Sequence, residues 1–324
     1  MINKKNIATM IVFLFIVLIL NFFYIAPSIG IAKGSGTVLS DNWWQALNWI
    51  KNNTAECSTV ATYWDPGHFI TGIASRPVVF DGASQGAIRT IELTGEVTED
   101  QIKEAAVIDQ YTVEETYEDG EKVTKITTAR IQDIATSLMT TDEDMSLNIL
   151  KKYVKPGCKE MYYIASSDLI GKSVWWSYFA TWNPIDKGKQ YSYSILSLSQ
   201  SRQIIEQNSM LYVYPASKDQ TFILLAKNET LTALFQQGNL APVKVEKLVY
   251  FLNDGTGISK VAEDAEIKGM VWVDPSYQII VYAPPEISDS MFTRMFFLNG
   301  QGLKNFEFVG SWGGEVKLFK VKIS

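Results

Sequence analysis

The segment Tyr63-Trp64-Asp65-Pro66-Gly67-His68 places two aromatic rings, a carboxylate and an imidazole around a proline–glycine turn. A carboxylate there can accept a hydrogen bond from a ligand hydroxyl, and neighbouring rings strengthen that bond by excluding water. The same residues also suit a plain strand end, with an Asx-type turn and a half-buried aromatic pair. His68 is the single histidine of the 324-residue chain, and Cys57 and Cys158 are its two cysteines. Any Ser-His-Asp or Cys-His catalyst would have to be built on His68, and multi-Cys/His zinc sites and iron–sulfur centres lack ligands. A lone histidine beside a turn more often serves structure or contacts a substrate than acts as a base.

The elements that must hold this turn can be read from hydrophobic pattern. Cys57–Trp64, Arg76–Phe80 and Lys159–Ala165 read as short strands. Helical patterns beginning at Asp41, with Trp44, Leu47 and Ile50 on one face, and at Thr141, with Leu147 and Leu150, separate or flank them. Strands alternating with helices imply a parallel α/β sheet, whose binding crevice lies beyond the carboxyl ends of the strands. Those ends carry Asp65, Asp81 and Asp168, which gathers three carboxylates on one rim. Cys57 and Cys158 fall at the opposite ends of the first and third strands. Two buried free thiols are the alternative there, and the placement favours a disulfide.

Residues 94–128 read as an insertion, with a Thr98/Gln101 capping box and a hairpin at Glu118-Asp119-Gly120-Glu121. Beyond residue 190 the character shifts to short β-like runs, among them Phe222–Ala226, Val243–Phe251 and Val316–Lys320, read as a smaller β-rich domain from about residue 240 joined by helical segments. The expected fold class is an α/β central domain with a mixed, largely parallel sheet, preceded by one transmembrane helix and followed by a smaller β-rich domain. The expected divisions are 1–30, 31–240 and 241–324, with a Gly/Ser/Thr connector at 31–40. Asn253-Asp254-Gly255-Thr256-Gly257 lacks a following Lys-Ser/Thr, so it reads as a hairpin turn and not a phosphate loop. Asn52-Asn53-Thr54 and Asn228-Glu229-Thr230 have the spacing of glycosylation sequons.

Ile7–Ala26 runs without a charge for about 20 residues, the span of one membrane helix. A signal peptide has a shorter apolar centre and a small-x-small cleavage site, so an uncleaved anchor is the preferred reading. Lys4 and Lys5 put the N-terminus in the cytoplasm and the main domain outside. An exported domain is also where a disulfide persists. The net charge of −6 makes nucleic acid an unsuitable partner.

Tyr63-Trp64-Asp65-Pro66-Gly67 resembles the WWDYG motif of the oligosaccharyltransferase catalytic subunits, archaeal type, in their C-terminal extracytoplasmic part. Asp41-Asn42-Trp43-Trp44 upstream and ITGIASRPVVFDG downstream, with Arg76 and Asp81, are similar to the family's surroundings of that motif. Asp168-Leu169-Ile170-Gly171-Lys172 with Trp175-Trp176 resembles the second, DK motif, with three residues between Asp168 and Lys172 where the usual pattern has two. Met291-Phe292-Thr293-Arg294 to Asn299-Gly300 resembles the archaeal C-terminal segment.

The resemblance implies recognition of an Asn-X-Ser/Thr acceptor polypeptide, whose hydroxyl at the +2 position is clamped by the motif. The implied acceptor-binding residues are Tyr63, Trp64, Asp65, Gly67, His68, Asp168 and Lys172. It assigns this chain no catalytic residue, no metal ligand and no cofactor of its own. The complete enzyme uses a divalent metal, Mn or Mg, in a multi-helix membrane half that also holds the lipid-linked oligosaccharide. The implied partners are therefore the acceptor, the membrane and a separate multi-helix half. A membrane-anchored peptide-binding or accessory protein without transferase activity is the rival expectation, and a surface domain whose aspartates merely cap strands is a third.

Overall fold

The computed structural model describes residues 4–25, 27–30, 39–84, 86–204, 208–228, 230–252 and 256–323. Most of the expected connector (31–38), the Asn253-Asp254-Gly255 turn and Glu229 of the second sequon lie outside the described residues. The chain divides into two compact units, Met1–Trp44 and Gln45–Ser324.

In the first unit an α-helix over Lys4–Leu20 runs into a π-helical turn at Asn21–Ile25. Met10–Gly30 is long and apolar enough to cross a membrane. It is apolar all round, unlike a surface helix with one apolar stripe.

The second unit takes up the helix Asp41–Asn53 at Gln45 and buries Leu47 and Ile50. Trp44, expected on the same face, is exposed. β1 (Thr59–Ala61) comes next and is shorter than expected. The expected strand at Arg76–Phe80 is reduced to one parallel bridge, Val60 to Val78. Pro77 has no N–H to extend that ladder, although its carbonyl accepts from Val60 N at 2.8 Å. Arg76 is buried and donates to the carbonyls of Lys51 and Thr54 at the end of the Asp41–Asn53 helix. It is a strut for the chain just beyond the motif turn.

The insertion begins earlier than expected, with β2 (Ile88–Thr94), then β3 (Tyr111–Glu118) and β4 (Glu121–Ala129), paired in the order β2-β4-β3. Thr98 and Gln101 form the capping box of the helix Glu99–Ala106. Asp119 (φ 51°) and Gly120 (φ 85°) both occupy the left-handed region, as a two-residue hairpin turn requires. The helix Arg130–Met139, absent from the expected elements, comes next and buries Ile134, Ala135 and Leu138. The helix after it is Glu143–Lys151, capped by Asp142 and not by Thr141.

β5 (Met161–Ser166) is buried along its whole length and pairs in parallel with β1. The strands beyond it are β6 (Ser194–Ser197), β7 (Gln200–Ile204), β8 (Ser209–Pro215), β9 (Gln220–Lys227), β10 (Thr230–Gln237), β11 (Val243–Phe251), β12 (Gly257–Val261), β13 (Ile267–Val273) and β14 (Ile279–Ala283), and the hairpin of β15 (Phe306–Trp312) and β16 (Val316–Val321) closes the chain. The central sheet has the order β1-β5-β16-β15 and is mixed: its antiparallel half is supplied by the last hairpin. Strands β6 to β14 make one nine-stranded sheet. No sheet boundary therefore falls at the expected division near residue 240, because β6 to β10 precede it and β15–β16 return to β5.

β6 and β7 are successive halves of one strand, one paired with β14 and the other with β8. At their joint Leu198 N donates to Gln278 O and Ser199 N to Val213 O, so the sheet closes on itself. Alternation then divides its side chains. Leu248, Val271, Val273 and Ile280 fill the inside, whereas Val249, Met270 and Val281 face outward into the α/β core. The helices Arg130–Met139, Ser173–Ala180 and Met291–Phe296 pack in that core against the central sheet.

Candidate functional site

The rim is built at the carboxyl ends of the parallel strands. After β1 the chain turns at Trp64–Gly67, where Gly67 N donates to Trp64 O, and Pro66 then starts a helical turn through Ala74. β5 runs through Ser167 into the short helix Asp168–Gly171 and then Ser173–Ala180. Asp65 and Asp168 thus follow the ends of the parallel strands β1 and β5, and Asp81 follows the stretch that carries the Val78 bridge.

Two of the three carboxylates converge on one cation. Lys172 Nζ donates to Asp168 Oδ2 at 2.7 Å and also contacts Asp65 Oδ2. The three residues between Asp168 and Lys172 make them an i,i+4 pair, side by side on one helix face. Burial works against the Lys172 ammonium, but the hydrogen bonds to Asp168 and Asp65 outweigh it and raise its pKa. The three side chains are 30–35% exposed, so a ligand can reach them. Asp168 Oδ1 is shielded from water and has no hydrogen-bond partner among the described residues. Such an acceptor costs free energy until a donor reaches it.

The remaining expected residues divide by exposure. Trp64 and Asp65 are partly exposed, and the His68 side chain is 55% exposed, with Nδ1 3.8 Å from Asp81 Oδ2. Tyr63 is 1% exposed and belongs to the core, edge-on to Trp64 and Phe80 at 6.4 Å. Burial first, then the Asp65 charge, pushes its hydroxyl pKa up, and the Trp64 indole alone opposes this. Among the described residues that hydroxyl makes no well-formed hydrogen bond. Tyr63 therefore backs Trp64 and does not present a ring to solvent. Trp175, one turn beyond Lys172, is 54% exposed.

Gly67 is likewise a packing residue. A Cβ there would lie 2.7 Å from both Phe80 O and Asp81 Cβ, so only glycine lets the motif turn lie against the Asp81 strand end. Gly67→Ala is expected to cost about 1–3 kcal/mol, because backbone must move apart to admit one methyl. Urea unfolding monitored by circular dichroism measures this, and a loss under about 0.5 kcal/mol would contradict the close packing.

Asp65 and Asp168 are both committed to Lys172, and Asp81 faces His68. Among the described residues no group of three or more His, Cys, Asp or Glu side chains is placed to hold a metal ion. The rim offers hydrogen bonding beside an indole: fixed acceptors, one ammonium donor and a partly dry surface.

Cys57 and Cys158 are joined as a disulfide at the other end of the sheet, with Cα atoms 5.7 Å apart. The buried ion pair Arg89–Asp133, linking β2 to the helix Arg130–Met139, has no counterpart among the sequence-derived expectations.

The fold and the rim define a mixed α/β domain with a lysine-bridged carboxylate pair at its strand ends. No family model matches the chain. The dolichyl-phosphooligosaccharide-protein glycotransferase of Methanocaldococcus jannaschii is 22% identical over 312 residues, covering 83% of this chain and 32% of that protein. The enzyme of the same name from Methanococcus voltae is 42% identical over 50 residues, 15% of this chain and 6% of that protein. Among solved structures, the C. jejuni pglb C-terminal domain matches with a TM-score of 0.44 and 13% identity, covering 86% of this chain and 99% of that domain. The chain is homologous to the archaeal oligosaccharyltransferases, and it spans about a third of the length of the M. jannaschii relative.

Proposed function

We propose that the rim around Trp64, Asp65, Asp168 and Lys172 recognises the acceptor polypeptide of protein N-glycosylation, an Asn-X-Ser/Thr segment. The observation that carries this reading is the convergence of Asp65 and Asp168, from separate strand ends, on Lys172. A Ser/Thr hydroxyl is both donor and acceptor, and this arrangement offers a carboxylate and an ammonium together. His68 and Asp81 line the far side of the same turn, while Tyr63 and Gly67 hold it in shape.

Homology to the glycotransferases supports the substrate class. In this reading the glycan comes from a lipid carrier, and a separate multi-helix half with a divalent ion performs the transfer. The apolar N-terminal helix anchors the chain in the membrane with Lys4 and Lys5 on the cytoplasmic side and the rim outside.

Binding of fluorescent peptides to the full chain in detergent tests this. An Asn-X-Thr peptide is expected to bind about tenfold more tightly than Asn-X-Ala, the worth of one hydroxyl hydrogen bond to a charged group. Asp65→Ala is expected to abolish that preference. Equal binding of the two peptides to the unaltered protein would sink the acceptor reading. A preference that survives Asp65→Ala would sink the residue assignment.

A further inference from the structure

A second concave site lies where the nine-stranded sheet meets the last hairpin, a cleft of about 910 Å³. Its walls are Phe251 and Trp272, with Asp274, Tyr277, Asn299 and Lys317 as the polar groups among them. The volume and the mixture of rings with a few polar groups suit a small-molecule site. None of these residues belongs to the Asp65–Asp168–Lys172 cluster.

Lys317 is the unusual member. It stands on β16 opposite Ala165 of β5, and its Nζ donates to Phe296 O at 2.5 Å and Asn299 Oδ1 at 2.6 Å. Both acceptors are neutral, and among the described residues no carboxylate lies within ion-pair distance. Nζ also lies over the Phe296 ring, 4.9 Å from its centroid, so the ammonium is held by neutral groups on every side that is described. Burial pushes its pKa down to about 8. The Trp272 indole N–H is also shielded from water and has no hydrogen-bond partner among the described residues.

Acceptors stand beside these donors. Asp274 Oδ2 takes bonds from Ser276, and Asn299 contributes a carboxamide. Gly313 (φ 57°) and Gly314 (φ 69°) form the floor at the β15–β16 turn, where the lack of side chains lets a ligand approach the backbone. A simple anion would be opposed by Asp274, and a wholly apolar guest would cover the Asp274 carboxylate and the Lys317 ammonium without bonding either. A ring bearing adjacent hydroxyls satisfies both, since each hydroxyl donates and accepts, and its C–H face lies against the aromatic wall.

We propose that this cleft is a saccharide-binding site. It opens at the same end of the central sheet as the rim, because Ser167 N donates to Glu315 O at the turn carrying Gly313 and Gly314. The site does not depend on the acceptor reading, since its chemistry comes from its own walls.

The test titrates methyl glycosides of glucose, galactose, mannose and N-acetylglucosamine onto the full chain in detergent. Saturation-transfer NMR and tryptophan fluorescence report binding. At least one glycoside is expected to bind saturably, and Lys317→Met and Asn299→Ala each to weaken it by about tenfold, the loss of one strong hydrogen bond. Asp65→Ala is expected to leave glycoside binding unchanged, which separates this outcome from failure of the acceptor reading. Lys317→Met removes a buried charge and keeps the stem's packing, and a thermal melt confirms that both variants fold. Absence of saturable binding by every glycoside overturns the proposal, as does binding that persists unchanged in both folded variants.

Discussion

Asp133→Ala is expected to cost the folded protein about 3–5 kcal/mol, the toll of leaving a guanidinium buried without its counterion. Asp133 is fully buried and Arg89 is 7% exposed. The carboxylate accepts from Arg89 Nε at 2.8 Å and Nη2 at 3.2 Å, from Thr128 Oγ1 at 3.1 Å and from the Tyr153 hydroxyl at 2.5 Å. Arg89 spends its other donors on the carbonyls of Ala105 and Ala106, at the end of the Glu99–Ala106 helix. One carboxylate thus ties β2, β4 and that helix to Arg130–Met139 and to Tyr153. Burial first, then the Asp133 charge, drives the Tyr153 pKa upward, so the phenol stays a donor.

The insertion has only a small apolar cluster of its own, built on Ala105, Ala106 and Ile126. Its attachment should therefore fail before the rest unfolds. Urea unfolding reads the total loss, and hydrogen exchange in β2 to β4 reads the local one. Arg89→Met with Asp133→Leu should recover part of the loss, because no unpaired charge is left buried, while the Thr128 and Tyr153 hydroxyls and the Ala105 and Ala106 carbonyls lose these partners. A loss below about 1 kcal/mol for Asp133→Ala would contradict this account.

That network also marks the limit of local sequence pattern. Asp133 lies in the run Arg130–Met139, where Ile131, Ile134, Ala135 and Leu138 recur at helical spacing. The helix itself is therefore legible in the sequence, although it is missing from the expected elements. That Asp133 faces inward, to an arginine 44 residues earlier, is a tertiary fact with no local mark. Asp65 and Asp168 are legible because strand ends share a rim whatever the loops do.

Tyr63 misleads for a related reason. A tyrosine beside an exposed turn looks available, yet alternation from β1 turns it towards Phe80 and the core. The hairpin at Asp119-Gly120 and the Thr98 cap can be read because their causes are local. The closure of the nine-stranded sheet cannot, since the alternation in β6 or β14 is the same whichever strand lies beside it. The return of β15–β16 to β5 hides in the same way, and it alone makes the central sheet mixed.

Replacing Cys57 and Cys158 together by serine is expected to lower stability by about 4.7 kcal/mol, the chain-entropy value for a loop of this size. The bond spans 101 residues and ties the stretch before β1 to the stretch before β5. Those strands are parallel neighbours, which no tight turn can bring together. Between them lie the motif turn, the whole insertion and two helices, a long loop to close when β1 meets β5. The cross-link removes much of that search from the unfolded chain. Its effect should therefore appear in the unfolded state: the double variant unfolds with a steeper urea dependence, because a freed chain exposes more surface. The folded rim lies at the other end of the sheet and should be untouched, so the preference for Asn-X-Thr over Asn-X-Ala should persist in the variant below its unfolding midpoint. Reducing the unaltered protein should reproduce the variant's curve. If the oxidised, reduced and serine forms unfold at one midpoint, the loop is held by other means. The pairing of β1 with β5 would then have to rest on the buried contacts of β5 alone.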